Sequence, residues 1–196
     1  MPKRSLRGSA VAYVTKSVIR FVATLFVSGF IAGSASLAFA DDAADANFKP
    51  GGKAVSMQEN GMWVDADGNP TDHINNDGTL DFFAFSGYRR YHSECHVCHG
   101  PDGMGSSYAP ALKDSVKVMS YAEFLGTVAA GRTNVTTSQS NVMPSFGNNK
   151  NVMCYINDIY VYLRARSNGD LDRTRPDKHL PKPKSYADAE TACIGF

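Results

Sequence analysis

Cys95-His96-Val97-Cys98-His99 is the stretch on which the fold turns. Two thiols three positions apart on a short helical turn can add to the two vinyl groups of one haem. The adjacent histidine then lies under the ring with an imidazole nitrogen aimed at the iron. A CxxC pair has other uses. A thioredoxin-like dithiol is expected after a strand and near a βαβ pattern, and none surrounds these residues. A structural zinc site takes about four ligands, and the sequence has no second CxxC. The motif occurs once, which predicts one covalent haem c, attached at Cys95 and Cys98 and ligated by His99.

Downstream of the motif, a thioether opposite the histidine would complete a six-coordinate iron suited to electron transfer and raise its potential. Met104 lies five residues past His99, too close for an easy route around the ring edge. Met153 falls among helical packing residues, where filling a gap is its commoner use, and Met119 directly precedes a capping box, Ser120-Tyr121-Ala122-Glu123. Met143, in the loop-like stretch Asn141-Val142-Met143-Pro144-Ser145-Phe146-Gly147, has enough intervening chain to cross beneath the ring, form a helix over 120–130 and return on the far face. Pro144 restricts Met143 to an extended conformation and stiffens that approach. Met143 is therefore the predicted second axial ligand, with Met104 as fallback. The carbonyl of Pro110 could accept the proton on the second nitrogen of His99, fixing its tautomer; a plain loop proline is the alternative.

Upstream, residues 1–40 carry Lys3, Arg4, Arg7, Lys16 and Arg20 with no acid, then an apolar run from Phe21 to Ile31, then Ala38-Phe39-Ala40. That order predicts an export signal cleaved after Ala40 and a periplasmic location; an uncleaved anchor would be the only membrane contact. Cleavage leaves 156 residues with 19 acids against 15 bases, a balance that argues against nucleic acid as partner. Charge is uneven: residues 41–123 hold 13 acids and six bases, residues 164–184 seven bases and three acids. Such an asymmetry could orient the molecule towards a charged partner.

Residues 41–78 form an N-terminal extension: a mobile lead-in over 41–60, then a short strand and an Asp-Gly turn in Met62 to Pro70. Asp65, Asp67 and Asn69 resemble the start of a calcium loop, but Pro70 and Asn76 stand where Gly and Glu are required, so turn chemistry is the better account. The haem domain is read over 79–165. Its first helix spans 79–94, with Leu80, Ala84, Gly87 and Tyr91 in line and Phe83 beside them. A mid-helix glycine costs about 1 kcal/mol relative to alanine, and close approach of the 151–165 helix at Gly87 supplies the reason. On that second helix Val152, Ile156, Ile159 and Leu163 form one stripe, and Cys154 projects almost opposite it. In an oxidising compartment Cys154 and Cys193 have only each other to pair with, unless both stay free. The bridge would staple the Pro-rich, charged tail (166–196), read as an extended arm.

These motifs together resemble the class I cytochromes c: a helix, CxxCH, a Gly-rich loop running from Gly100-Pro101-Asp102-Gly103 to Leu112, a middle helix, Met143-Pro144 and an aromatic final helix, over about 79–165. The resemblance also implies His99 and Met143 as axial ligands. A narrower one is to the four-cysteine, methanol-metabolism-related cytochrome cL (XoxG-type) group, carried by Cys154 and Cys193, the Trp63 segment with Asp67-Gly68-Asn69-Pro70, and the long tail. It implies a periplasmic PQQ-dependent methanol dehydrogenase, particularly the lanthanide-dependent kind, as electron donor, and a downstream cytochrome or oxidase as acceptor. A calcium site of another kind near the haem stays possible on that resemblance.

The expectation is an all-α cytochrome c fold around one haem, with a short β-like extension and a disulfide-stapled arm. It would be a one-electron carrier and not an enzyme. The alternatives are a carrier for another periplasmic dehydrogenase, a five-coordinate sensor or peroxidase-like protein if Met143 does not bind, or a fixed subunit of a respiratory complex.

Overall fold

The computed structural model describes residues 52–135 and 140–195; the export segment and cleavage site expected from the sequence lie outside the described residues. Asp81 sets where the first long helix begins. Its buried carboxylate accepts from the backbone N–H of Ala84 at 2.9 Å and from that of His73 at 2.8 Å, capping the helix and tying it to the preceding loop. Helix α1 runs Phe82–Glu94. It starts three residues later than its apolar spacing predicts, because Thr79 bonds back to Asp77 through both N–H and hydroxyl and Leu80 bridges Ile74.

The chain then makes a short helix α2 (His96–His99), a 3-10 turn at Pro101–Gly103, α3 (Leu112–Ser115) and α4 (Tyr121–Ala130). The capping box at the start of α4 forms as expected, with Glu123 N–H on Ser120 Oγ at 3.1 Å and Ser120 N–H on Glu123 Oε2 at 2.6 Å. The helix predicted over 151–165 is two pieces, α5 (Lys150–Met153) and α6 (Ile156–Asn168), broken at Cys154-Tyr155, where Tyr155 leaves helical geometry at φ −125°. The stripe survives the break, with Val152, Ile156, Ile159 and Leu163 all buried.

Helices α1 and α6 form the centre of the molecule, and Gly87 decides how closely they meet. A Cβ on Gly87 would stand 1.8 Å from the carbonyl oxygen of Asp158 and 2.8 Å from Cβ of Tyr162, so two backbones touch where any side chain would part them. Ala84, Tyr91, Tyr162 and Leu163 fill the space around this crossing. Helix α4 packs on α6 through Phe124 and Tyr121, whose rings lie 5.1 and 4.9 Å from that of Tyr160.

Three expectations need correction. The molecule is mostly helical but carries two small antiparallel hairpins. Strand β1 (Ser56–Met57) pairs with β2 (Trp63–Val64), so the described end of the supposed lead-in is structured against the predicted strand. Strand β3 (Arg132–Val135) pairs with β4 (Ser140–Met143), so the stretch leading to Met143 is a strand rather than a loop. The tail is extended only to about residue 183, held along α1's start by Leu80 N–H on Lys178 O and Leu180 N–H on Leu80 O. It then forms a helix, α7 (Lys184–Ile194). Tyr186 of α7 is buried between Phe82 and Phe83, its hydroxyl 2.5 Å from Asp158 Oδ2. The Cys154–Cys193 disulfide is formed, joining the α5–α6 break to the far end of α7. Among the described residues no helix is long and apolar enough to cross a membrane.

Candidate haem site

The motif sits where α1 runs out. Cys95 still donates its N–H to Tyr91 O at 2.9 Å, and Cys98 and His99 donate theirs to Cys95 O at 3.3 and 3.0 Å, so one helical turn sets the spacing of the two sulfurs. Both thiols are unbridged; Cys95 is half-buried and Cys98 exposed. Burial, with help from Glu94 and Cys98, pushes the Cys95 thiol up to about 12. That is opposite to the thiolate character on which a redox dithiol or a zinc ligand depends.

His99 is buried, and its Nδ1 lies 3.0 Å from the carbonyl oxygen of Pro110. A carbonyl can only accept, so Nδ1 carries the proton and Nε2 keeps the lone pair that can bind a metal. The loop that brings Pro110 there is held by three contacts, two onto the motif and one closing the loop on itself. Gly105 N–H bonds His99 O at 2.7 Å, Ser106 Oγ bonds Cys98 O at 2.5 Å, and Ser106 N–H bonds Ala109 O at 2.9 Å. Tyr91 adds a fourth from beneath: its hydroxyl donates to Gly100 O at 2.6 Å and accepts from Gly103 N–H at 3.0 Å.

Cys95, Cys98, His99 and Pro110 thus share one hydrogen-bonded unit, whereas Met143 arrives separately at the end of β4, partly buried against the core. Met104 follows the 3-10 turn and is 36 % exposed; Met119 and Met153 pack against the core as gap-fillers do. Sequence reasoning misses Tyr91 and Ser106 as site residues. Tyr91 reads as one more member of an apolar stripe, and nothing local reveals that a loop eight to twelve residues later returns to its hydroxyl.

The donor set fits a covalently attached haem: two unbridged thiols at CxxC spacing beside a buried imidazole of fixed tautomer. At the suspected calcium loop, the Asp65 carboxylate accepts from the N–H groups of Asp67 and Asn69 at 3.0 and 2.9 Å, which is turn chemistry. Among the described residues no group of three or more His, Cys, Asp or Glu could hold a metal ion.

No protein-family model matches the chain. It is 51% identical over 147 residues to cytochrome c-553I of Paracoccus denitrificans, a match covering 74% of this chain and 65% of that one, so the chain spans just under two thirds of that relative's length. It is 36% identical over 106 residues to cytochrome c-555 of Methylococcus capsulatus, covering 54% of this chain and 76% of that one. Among solved structures, the c-type cytochrome XoxG from Methylobacterium extorquens AM1 is 56% identical, with a TM-score of 0.66 over 71% of this chain and 85% of its own. Identity at that level, extending over most of a solved cytochrome that shares its backbone path, makes this chain a member of the class I c-type cytochromes, of the XoxG/cL type.

Proposed function

We propose that this cytochrome is a periplasmic one-electron carrier with a single haem. The observation that carries the reading is the 3.0 Å contact between His99 Nδ1 and Pro110 O beside two unbridged thiols. Cys95 and Cys98 would hold the group through thioether bonds, and His99 Nε2 and Met143 Sδ would be its axial ligands. When bound, the haem supplies an iron that alternates between two oxidation states. The chain's own residues set the conditions for that exchange. Pro110 fixes the imidazole tautomer and raises its basicity, and a thioether ligand favours the reduced state.

The donor we propose is a PQQ-dependent methanol dehydrogenase, of the lanthanide-dependent kind, with the respiratory chain downstream. The likeness to XoxG supports this, together with the formed Cys154–Cys193 bridge that belongs to the four-cysteine pattern. Exchange is outer-sphere, and the contact is expected to be transient and small, below about 1,200 Å². Stopped-flow mixing of reduced methanol dehydrogenase with the oxidised, haem-loaded protein tests it. Haem reduction within the dehydrogenase's turnover time is the expected outcome. Rapid reduction by a different periplasmic dehydrogenase, with none by this one, would remove the donor and leave the carrier.

A further inference from the structure

Met143 reaches its place through a backbone contact that only glycine permits. Gly131 follows α4 directly, with φ at +75°. A Cβ there would lie 2.6 Å from Met143 O, 2.8 Å from the carbonyl carbon of Pro144 and 2.8 Å from the nitrogen of Ser145. All three atoms are backbone, and they belong to the segment that carries Met143, so no flexible side-chain tip can swing aside. The next residues are fixed to the same helix end. Phe146 N–H bonds Val128 O and Gly147 N–H bonds Ala129 O, each at 3.0 Å, and Ser145 Oγ bonds Ala129 O at 2.6 Å. A Cβ on Gly147 would stand 2.9 Å from that same Ala129 oxygen. Between the two glycines, the hairpin pairs Arg132 with Met143, so the chain leaves α4 and comes back to it at one point.

We infer that Gly131, assisted by Gly147, is a positioning residue for the sixth iron ligand. The end of α4 forms a seat for Met143-Pro144-Ser145, and the absence of two Cβ atoms sets how deeply the segment sits. Pro144 keeps Met143 extended, so a displacement of the seat is not absorbed by rotation at Met143 but is passed to its sulfur. An iron–thioether bond tolerates little change in distance. The inference rests on the proposal that Met143 is the ligand.

The test uses the full chain, matured with haem, as G131A, G147A, G126A and M143A. Gly126 lies on the same helix, and a Cβ there would have nothing within 4 Å, which makes G126A the control for a Gly→Ala change in α4. The readouts are the far-red Met–iron charge-transfer band of the oxidised protein, the pH at which it disappears, and the reduction potential. In G131A the band is expected to vanish, or to disappear at least one pH unit lower than in the wild type, with a fall in potential. G147A should shift the same way by less, and G126A not at all. Wild-type band, pH and potential in G131A, whatever its melting temperature, overturn the inference; should G131A not fold, wild-type values in G147A do so. M143A separates the two proposals. If it keeps the band, the ligand assignment falls and takes this inference with it. If it loses the band while both glycine variants behave as wild type, only the positioning role falls.

Discussion

One hydroxyl does more for the site than its place in a helical stripe announces. Tyr91 is fully buried, and its oxygen stands between Gly100 O and Gly103 N–H, closing the turn that follows His99. Burial holds its phenol well above the usual range, so it stays a donor and an acceptor at every working pH. In Y91F the aromatic packing against Tyr162 stays, but a buried N–H and a buried carbonyl lose their partner together. Each such orphaned group costs about 1–3 kcal/mol, and in a domain of this size each kcal/mol lowers the melting temperature by about 2–4 °C. Thermal unfolding of haem-loaded Y91F should therefore show a drop of at least about 4 °C, with an unchanged absorption spectrum because His99 keeps Pro110. An unaltered melting temperature would mean that the turn does not depend on the bond.

At the level of elements, α7 is held by more than its disulfide. Tyr186 bonds Asp158, Glu190 accepts from Tyr155 Oη at 2.6 Å and pairs with Arg90 and Lys182, and Lys150 Nζ bonds Ile194 O at 3.0 Å. Removing the bridge in C154S/C193S frees a loop of 39 residues' separation, for which chain entropy alone gives about 4 kcal/mol. Because the other anchors keep α7 docked, the variant should still fold and carry haem, and melt about 8–16 °C lower. Loss of the haem spectrum instead would mean that the staple organises the site itself. The bridge was legible because two cysteines were left over, and the α1–α6 crossing because a mid-helix glycine needs a reason. Helix α7 was not: Pro181 and Pro183 dominate the composition there, although Pro183 before a helix start and Gly195 at its end are ordinary boundary signals. The β3–β4 hairpin was masked likewise. Thr133, Val135 and Val142 carry strand preference, yet the proximity of Pro144 made the stretch read as loop. The break at Cys154-Tyr155 leaves no mark in the apolar period, since it is fixed by partners distant in sequence, Cys193 and the Arg90 guanidinium over the Tyr155 ring.

Across the whole molecule, formal charge counted along the chain misleads in the basic tail. Arg164 and Arg166 are buried, with Arg164 donating to Val116 O at 2.6 Å and Arg166 to Asp102 O at 3.3 Å, so two of the seven bases are core rather than surface. Buried acids have the larger consequence. Burial raises Asp158 and Asp72 from 3.8 to about 7, and raises Asp81 as well. The exposed Asp77 and Asp114 shift downward, where solvent screening leaves little effect on stability. The folded protein therefore holds protons to higher pH than the unfolded chain. The contribution of these groups is complete below about pH 4, where both states are protonated, and is lost as pH rises through 7. Stability should decline from pH 5 to pH 8. Asp158 gives the sharpest test, since its Oδ2 accepts from Ser86 Oγ at 2.6 Å and Tyr186 Oη at 2.5 Å, and an amide oxygen can accept both. D158N keeps those bonds and cannot ionise. Relative to the wild type it should gain at least about 1 kcal/mol between pH 5 and pH 8, measured by urea unfolding of the haem-loaded proteins at the two pH values. Titrating groups not coupled to Asp158 cancel in that difference, so parallel pH slopes in the two proteins would show that Asp158 is ionised in the fold and that the Ser86–Asp158–Tyr186 junction is an anionic contact.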